Sequence, residues 1–178
     1  MLKAANEKAL QGEATIFSYY VDNPNAFGVV KFDNSESKNP VAIIEKPAEF
    51  VSNFAITGLY VYPNGVSKLV ESLNYSSRGE LEITDLNNLY LKNKLLNVTQ
   101  LGRGFTWFDV GTVNNLANAT EYIRAIQDRL NLMLYCPEEI AFNNKWISKE
   151  KLLEAANKMK ANSYGEYLFK VSEGKITH

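Results

Sequence analysis

ATIFSYYVDNPNAFGVVKFD, residues 14–33, holds two runs of β-branched and aromatic residues around Asp22-Asn23-Pro24-Asn25. Such runs favour extended backbone and the polar cluster turns the chain, so strands are predicted over 14–21 and 27–33. VAIIEKP (41–47), after the loop NSESKN, and AITGLYVY (55–62), ended by Pro63-Asn64-Gly65, predict two more. Upstream, Leu2–Leu10 reads as the tail of a helix closed by Gly12. Downstream, VSKLVESL (66–73) and Asp85–Lys92 carry apolar residues at helical spacing. LLNVTQLG (95–102) and FTWFD (105–109) read as strands around a Gly-Arg-Gly turn. Thr112 predicts the N-cap of a helix whose stripe is Leu116, Ala119, Ile123, Ile126 and Leu130. From Asn131 onward no strong strand appears. Ser148 reads as a cap, and Ser163 with Glu166 has capping-box spacing. The pattern is α/β: a mixed-sheet core over residues 1–111 and a helical C-terminal region over 112–178.

Composition narrows the function classes. A chain of 178 residues with 46% hydrophobic and 22% charged content can bury its own core. The formal net charge is -1 and the 19 basic residues are scattered, which argues against nucleic-acid binding. No run approaches 18 apolar residues, so no membrane span is expected, and the N-terminus lacks a signal peptide's apolar core. A single Cys136 forms no internal disulfide, which fits a reducing cytoplasm. The pairs Asn87-Asn88, Asn114-Asn115 and Asn143-Asn144 read as compositional bias rather than a prion-like tract.

Several side chains raise chemical possibilities, each with a plainer alternative. Glu45-Lys46 closes a strand: Lys46 suits a phosphate and Glu45 a sugar hydroxyl, or both are a solvated strand end. Gly28 and Gly58 sit inside apolar strands, where Gly is costly unless a bulge or a ligand requires it. Asp109, between FTWF and Val-Gly-Thr, offers a hard oxygen to Mg²⁺ or serves as a helix-end residue. RGELEITDL (78–86) places Arg78, Glu80, Glu82 and Asp85 within a few residues. If 78–83 is extended, the two glutamates share a face, as in a glycosidase pair, although adjacency alone does not set the separation that chemistry needs. His178 is solitary, which leaves no support for a histidine metal site or a Ser-His triad.

Taken in order, FGVVKFD, IIEKP, SNFAITGLYVYPNGV, SRGELEITDLNNLYL, GRGFTWFDVGT and YCPEEIAFNNKWI resemble the C-terminal portion of bacterial glucose-1-phosphate thymidylyltransferases. The resemblance extends over essentially the whole chain. It implies part of a Rossmann-like nucleotidyltransferase core with a mixed sheet, Mg²⁺ as cofactor, and a cytoplasmic homotetramer. The implied reaction joins dTTP to α-D-glucose 1-phosphate, giving dTDP-glucose and diphosphate, at the entry to dTDP-rhamnose and related deoxysugar pathways. By the same resemblance, Gly28, Glu45 and the backbone at Ile56 line the glucose site, and Lys46 and Arg78 contact the sugar phosphate. Trp107 lies near that pocket, Asp109 matches one of two Mg²⁺-binding aspartates, and Glu80 helps shape the site. Glu82 and Asp85 are expected to be structural.

The chain departs from the family in one respect. It contains no GGxGTRL-like run to cradle nucleotide phosphates, no base-recognition segment and no first Mg²⁺-binding Asp. Met1 aligns inside a helix just after that Asp. The expectation is therefore a fragment carrying the sugar-phosphate half and inactive alone. The alternatives are a non-catalytic oligomerisation module, or another sugar-nucleotide pyrophosphorylase such as a uridylyltransferase.

Overall fold

The computed structural model describes residues 1–36, 38–76 and 79–176. The chain divides into two compact units, Met1–Trp107 and Phe108–His178.

The first unit is organised around β1 (Ala14–Tyr20), whose first five residues are all buried. A strand covered on both faces can be apolar at successive positions rather than alternating, which is why ATIF reads as a continuous run. On one side β1 pairs in parallel with β5 (Leu96–Leu101), and on the other it runs antiparallel to β4 (Phe54–Val61). Strand β2 (Gly28–Phe32) bridges β4 to β3 (Pro40–Glu45), giving the order β3-β2-β4-β1-β5 in a mixed sheet. Ile16, Val30, Ile43 and Ile56 from four of these strands form one apolar cluster. Burying each such side chain contributes about 2 kcal/mol.

Gly58 lies in a bulge. Thr15↔Val61 and Ile16↔Tyr60 pair in one register and Ser18↔Ile56 in another, so β4 carries extra residues opposite Phe17. The Thr57 hydroxyl donates to the Phe17 carbonyl at 3.0 Å, satisfying a group that the bulge removes from the ladder.

Among the described residues, three α-helices accompany the sheet. Helix α1 (Leu2–Leu10) ends in a Schellman turn: Gly12 takes φ +89°, its N–H donates to the Ala9 carbonyl, and the Glu13 N–H donates to the Lys8 carbonyl. The Lys8 ammonium bonds the Asn97 side chain on β5, tying helix to sheet. Helix α2 (Val66–Val70) is followed by α3 (Ile83–Lys92), which starts two residues before the predicted Asp85. Leu86 and Tyr90 of α3 pack with Ala14, and Asn88 docks the helix on the sheet edge. The Asn88 side chain accepts from the Ile43 N–H at 3.0 Å and donates to the Ile43 carbonyl at 2.8 Å, mimicking a neighbouring strand.

The second unit is helical: α4 (Val113–Leu130), α5 (Pro137–Asn143), α6 (Lys149–Lys158) and α7 (Ser163–Ser172). Cys136, Leu152, Ala156, Tyr167, Leu168 and Val171 form its core. Thr112 and Ser148 cap α4 and α6 as predicted, by accepting from Asn115 and Lys151 N–H groups. The cap of α7 is Asn162 rather than Ser163, because its Oδ1 reaches the Gly165 N–H at 3.1 Å.

One strand expectation fails. Residues 105–109 form no strand, because their aromatic rings pack instead of joining a ladder. The predicted stripe of α4 exists, but only Ala119 is buried, with Leu116 54% and Leu130 56% exposed.

Candidate functional site

The end of β3, the start of β2, the middle of β4 and the first turns of α3 converge on one region of the first unit. Gly28 and Glu45 face each other across the β2–β3 ladder. A Cβ at residue 28 would stand 3.1 Å from Glu45 Oε2, 3.4 Å from Thr84 Oγ1 and 3.6 Å from Ile56 Cδ1. The glycine therefore keeps space open among three walls, which gives Gly28 a reason other than a bulge. The Thr84 hydroxyl donates to Glu45 Oε2 at 2.6 Å and orients the carboxylate. A hollow of about 170 Å³ opens here, lined by Phe27, Gly28, Glu45, Ile56, Tyr60, Thr84 and Asn87 among others.

A larger cleft of about 480 Å³ adjoins it, sharing Glu45 and Thr84 and adding Lys46, Ser76, Glu82, Asp85 and Asn88. Lys46 leaves the strand at φ +41°, a left-handed conformation, immediately before Pro47. Residues preceding proline are pushed toward extended backbone, so this conformation is strained twice over. Its N–H donates to the Phe27 carbonyl at 3.0 Å, which helps hold it. The turn breaks the strict alternation expected of adjacent strand residues, and Glu45 and Lys46 both line the cleft. Strain of this kind concentrates at functional sites.

Aromatic side chains support the hollow. Trp107 meets Phe27 edge-to-face at 5.1 Å between centroids and lies 6.1 Å from Tyr19, so it backs the wall beside Gly28. Tyr60, Tyr62 and Tyr90 form a run of ring contacts on another side. Burial pushes the Tyr60 hydroxyl pKa above its ordinary value, and the nearby Glu45 charge pushes it the same way. Tyr62 is driven further up by burial and stays a neutral donor, with its O–H given to Asn87 Oδ1 at 2.6 Å.

Gly28, Glu45, Lys46 and Ile56 are thus brought together, with Trp107 just behind. Arg78 lies outside the described residues. The segment after it is a turn rather than a strand: the Gly79 N–H donates to the Ser76 carbonyl and the Ser76 N–H to the Glu80 carbonyl. Glu80 and Glu82 are therefore not two rungs on one strand face. Glu80 is exposed, whereas Glu82 accepts from the Ser76 hydroxyl at 2.8 Å and lines the larger cleft with Asp85. Asp109 belongs to the second unit and is exposed, with its carboxylate beside Gly111. Among the described residues, no group of three or more His, Cys, Asp or Glu side chains forms a metal cluster.

Thr84 and Asn87 were not anticipated as site residues. Their signal is their three-residue spacing on a helix whose apolar stripe faces the sheet, which puts both on its inner side. In the sequence, Asn87-Asn88 passed for compositional bias.

The geometry is a polar hollow beside a cleft carrying a lysine. The sequence profile of the nucleotidyl transferase family matches residues 1–126. The chain belongs to that family. It is 47% identical over 158 residues to a glucose-1-phosphate thymidylyltransferase of Neisseria meningitidis, covering 89% of this chain and 54% of the relative. A glucose-1-phosphate thymidylyltransferase of Xanthomonas campestris pv. campestris is 43% identical over 165 residues, covering 93% and 55%. The fold is similar to a crystal structure of a Bacillus anthracis protein provisionally assigned as a glucose-1-phosphate thymidylyltransferase and solved with a sucrose. That likeness has a TM-score of 0.58 at 35% identity, over 68% of this chain and 47% of that one. The architecture is accordingly the Rossmann-like α/β fold of the nucleotidyltransferases. The chain spans about half the length of the curated relatives it matches.

Proposed function

We propose that these residues form the sugar-phosphate-binding part of a glucose-1-phosphate thymidylyltransferase. The observation that carries this reading is the convergence of Gly28, Glu45 and Thr84 on a hollow that opens toward Lys46. Glu45 accepts from sugar hydroxyls, and its orientation is fixed beforehand by Thr84. The gap at Gly28 lets the ring approach the strand backbone, and Ile56 supplies an apolar floor. Lys46 places an ammonium against the phosphate, and Arg78 adds a planar fork able to bind two phosphate oxygens at once.

In the reaction, a phosphate oxygen of α-D-glucose 1-phosphate attacks the α-phosphorus of dTTP. The bond from that phosphorus to the α,β-bridging oxygen breaks, and diphosphate leaves with the electron pair. No side chain becomes covalently attached, so the contribution of this chain is positioning and charge compensation. Lys46 and Arg78 offset the repulsion between the attacking phosphate and the triphosphate. Asp109 fits as one hard-oxygen ligand for Mg²⁺, which binds through one or two carboxylates together with substrate phosphates. In the complete enzyme, Mg²⁺ would supply neutralisation of developing phosphate charge. A single carboxylate does not complete such a site, and no glycine-rich phosphate cradle is present in the sequence. The 178 residues alone are therefore proposed to be inactive.

A second role is compatible with the first and rests on a separate observation. The exposed stripe of α4, Leu116, Ile123 and Leu130, suits burial in a homo-oligomer, with a tetramer as the proposed state. The proposed compartment is the cytoplasm, in keeping with the proposed substrates.

A chimera tests the activity. Residues 1–178 are substituted for the matching part of the Neisseria meningitidis relative, and diphosphate release is followed with dTTP, glucose 1-phosphate and Mg²⁺. The proposal expects turnover by the chimera and none by the 178 residues alone. A folded chimera that releases no diphosphate contradicts it.

A further inference from the structure

The connection from β4 to α2 passes through Pro63-Asn64-Gly65. Asn64 and Gly65 are both exposed in a turn. Gly65 takes φ +87°, and no atom lies within 4 Å of where a Cβ would sit. Its carbonyl accepts from the Lys68 N–H at 3.0 Å. Among the described residues, neither the Gly65 N–H nor the Asn64 side chain is engaged in a hydrogen bond. An asparagine side-chain amide can be attacked by the backbone nitrogen of the next residue, which closes a five-membered ring. That closure needs an unbound side chain, an available N–H and a backbone free to turn, and glycine gives the last of these. The other asparagines lack at least one condition, and none of them precedes a glycine. Asn34 is followed by Ser35, whose N–H donates to Asp33 Oδ1 at 3.2 Å. Asn162 is held as a helix cap, with Oδ1 accepting from the Gly165 N–H at 3.1 Å. Asn87 is buried, and Asn23 precedes a proline, which has no N–H.

We propose that Asn64 is a site of spontaneous deamidation. The deprotonated Gly65 nitrogen attacks Asn64 Cγ, the N–Cγ bond forms and the Cγ–Nδ2 bond breaks. Ammonia leaves, carrying the proton that Gly65 gave up, and a succinimide remains. Water then opens the ring. Addition at Cγ breaks the new N–Cγ bond and gives aspartate. Addition at the Asn64 backbone carbonyl breaks the original peptide bond and gives isoaspartate, with the chain continuing through Cγ. Either way a proton returns to the Gly65 nitrogen and the chain gains one negative charge. The isoaspartyl form lengthens the connection by one methylene between Tyr62 and Val66, which both pack on the Ala14, Leu86 and Tyr90 cluster. It therefore loosens that cluster. The reaction needs no bound ligand and stands apart from the sugar-phosphate site.

Peptide mapping by mass spectrometry tests this, following each asparagine over time in neutral buffer and, in a second sample, in guanidinium chloride. Thermal melting confirms that the first sample is folded; should the chain alone not melt cooperatively, the chimera described above replaces it. Asn64 in the folded protein is expected to convert within about tenfold of its rate in the unfolded one, because an open turn requires no prior unfolding. Asn34 and Asn162 should stay intact over the same period in the folded protein. Anion exchange should resolve a more acidic species that Asn64→Gln does not form. Conversion of Asn64 more than about tenfold slower in the folded than in the unfolded protein overturns the proposal. Conversion no faster than that of Asn34 or Asn162 overturns it equally.

Discussion

Replacing Gly28 with Ala adds one methyl group where three walls of the hollow meet. The new Cβ stands 3.1 Å from Glu45 Oε2, a few tenths of an ångström too close, and 3.4 Å from Thr84 Oγ1. The residue directly across the ladder is Glu45 itself, so the flexible carboxylate gives way rather than the paired backbone. Two terms then compete in folding. Alanine in a strand recovers about 0.5–1 kcal/mol of chain entropy relative to glycine. Loosening the hydrogen bond from Thr84 to the charged Glu45 costs about 1.5–3 kcal/mol, toward the lower figure because Glu45 is half-buried and can turn to water. The net is a destabilisation of about 1 kcal/mol, a loss of roughly 4–8 °C in Tm for a unit of this size. Binding suffers more, since the sugar loses both the space and the oriented acceptor. One charge-assisted hydrogen bond corresponds to about ten- to a hundredfold in affinity. Thermal melting and calorimetric titration of Gly28→Ala with glucose 1-phosphate measure the two effects separately. A variant that melts like its parent and binds glucose 1-phosphate equally well would refute the argument that Gly28 is an opening for the ligand.

The other expectations concern both units. Thr112→Ala removes the hydroxyl that accepts from the Asn115 N–H and should cost the second unit about 1 kcal/mol, read by urea denaturation. Gly165→Ala drives a Cβ into the Met159 backbone carbonyl, so it should destabilise the α6–α7 pair by about 3 kcal/mol or more, read by loss of helical circular dichroism on heating. Burial, then the hydrogen bond to Glu139, pushes the Tyr167 hydroxyl from 10.0 up to about 12. Its stabilising contribution is therefore complete below pH 10 and is lost as pH rises toward 12, because the unfolded chain releases the proton first. A denaturation series from pH 9 to 12 should show that loss, and Tyr167→Phe should reduce it.

Strands and helices set by local chemistry were legible in the sequence. The β-branched run at 14–20, the Gly12 closure of α1 and the Thr112 and Ser148 caps depend on residues a few positions apart. FTWFD misled because aromatic residues favour strands, yet Trp107 and Phe108 place their rings against Phe27 and Tyr122 respectively. Helix α5 carries a start signal that was readable, Pro137 in its first turn followed by Glu138 and Glu139. Gly28, Glu45 and Lys46 could be nominated from sequence because a glycine inside a strand and a lysine before proline are locally unusual. Thr84 and Asn87 carry only a three-residue helical spacing, which puts them on the inner face of α3 without marking them as site residues. Only the docking of α3 onto β3 through Asn88 brings them to the hollow.

The central claim is that the hollow beside Glu45 and the cleft beside Lys46 together receive a sugar phosphate. The most direct measurement is a titration of the ¹⁵N-labelled chain with glucose 1-phosphate, followed by backbone amide shifts. The account predicts saturable movement of Gly28, Glu45, Lys46 and Thr84, which line these spaces, and none of Leu152 or Leu168 in the core of the second unit. Saturable shifts confined to the second unit, or no saturable shift at all, would contradict it.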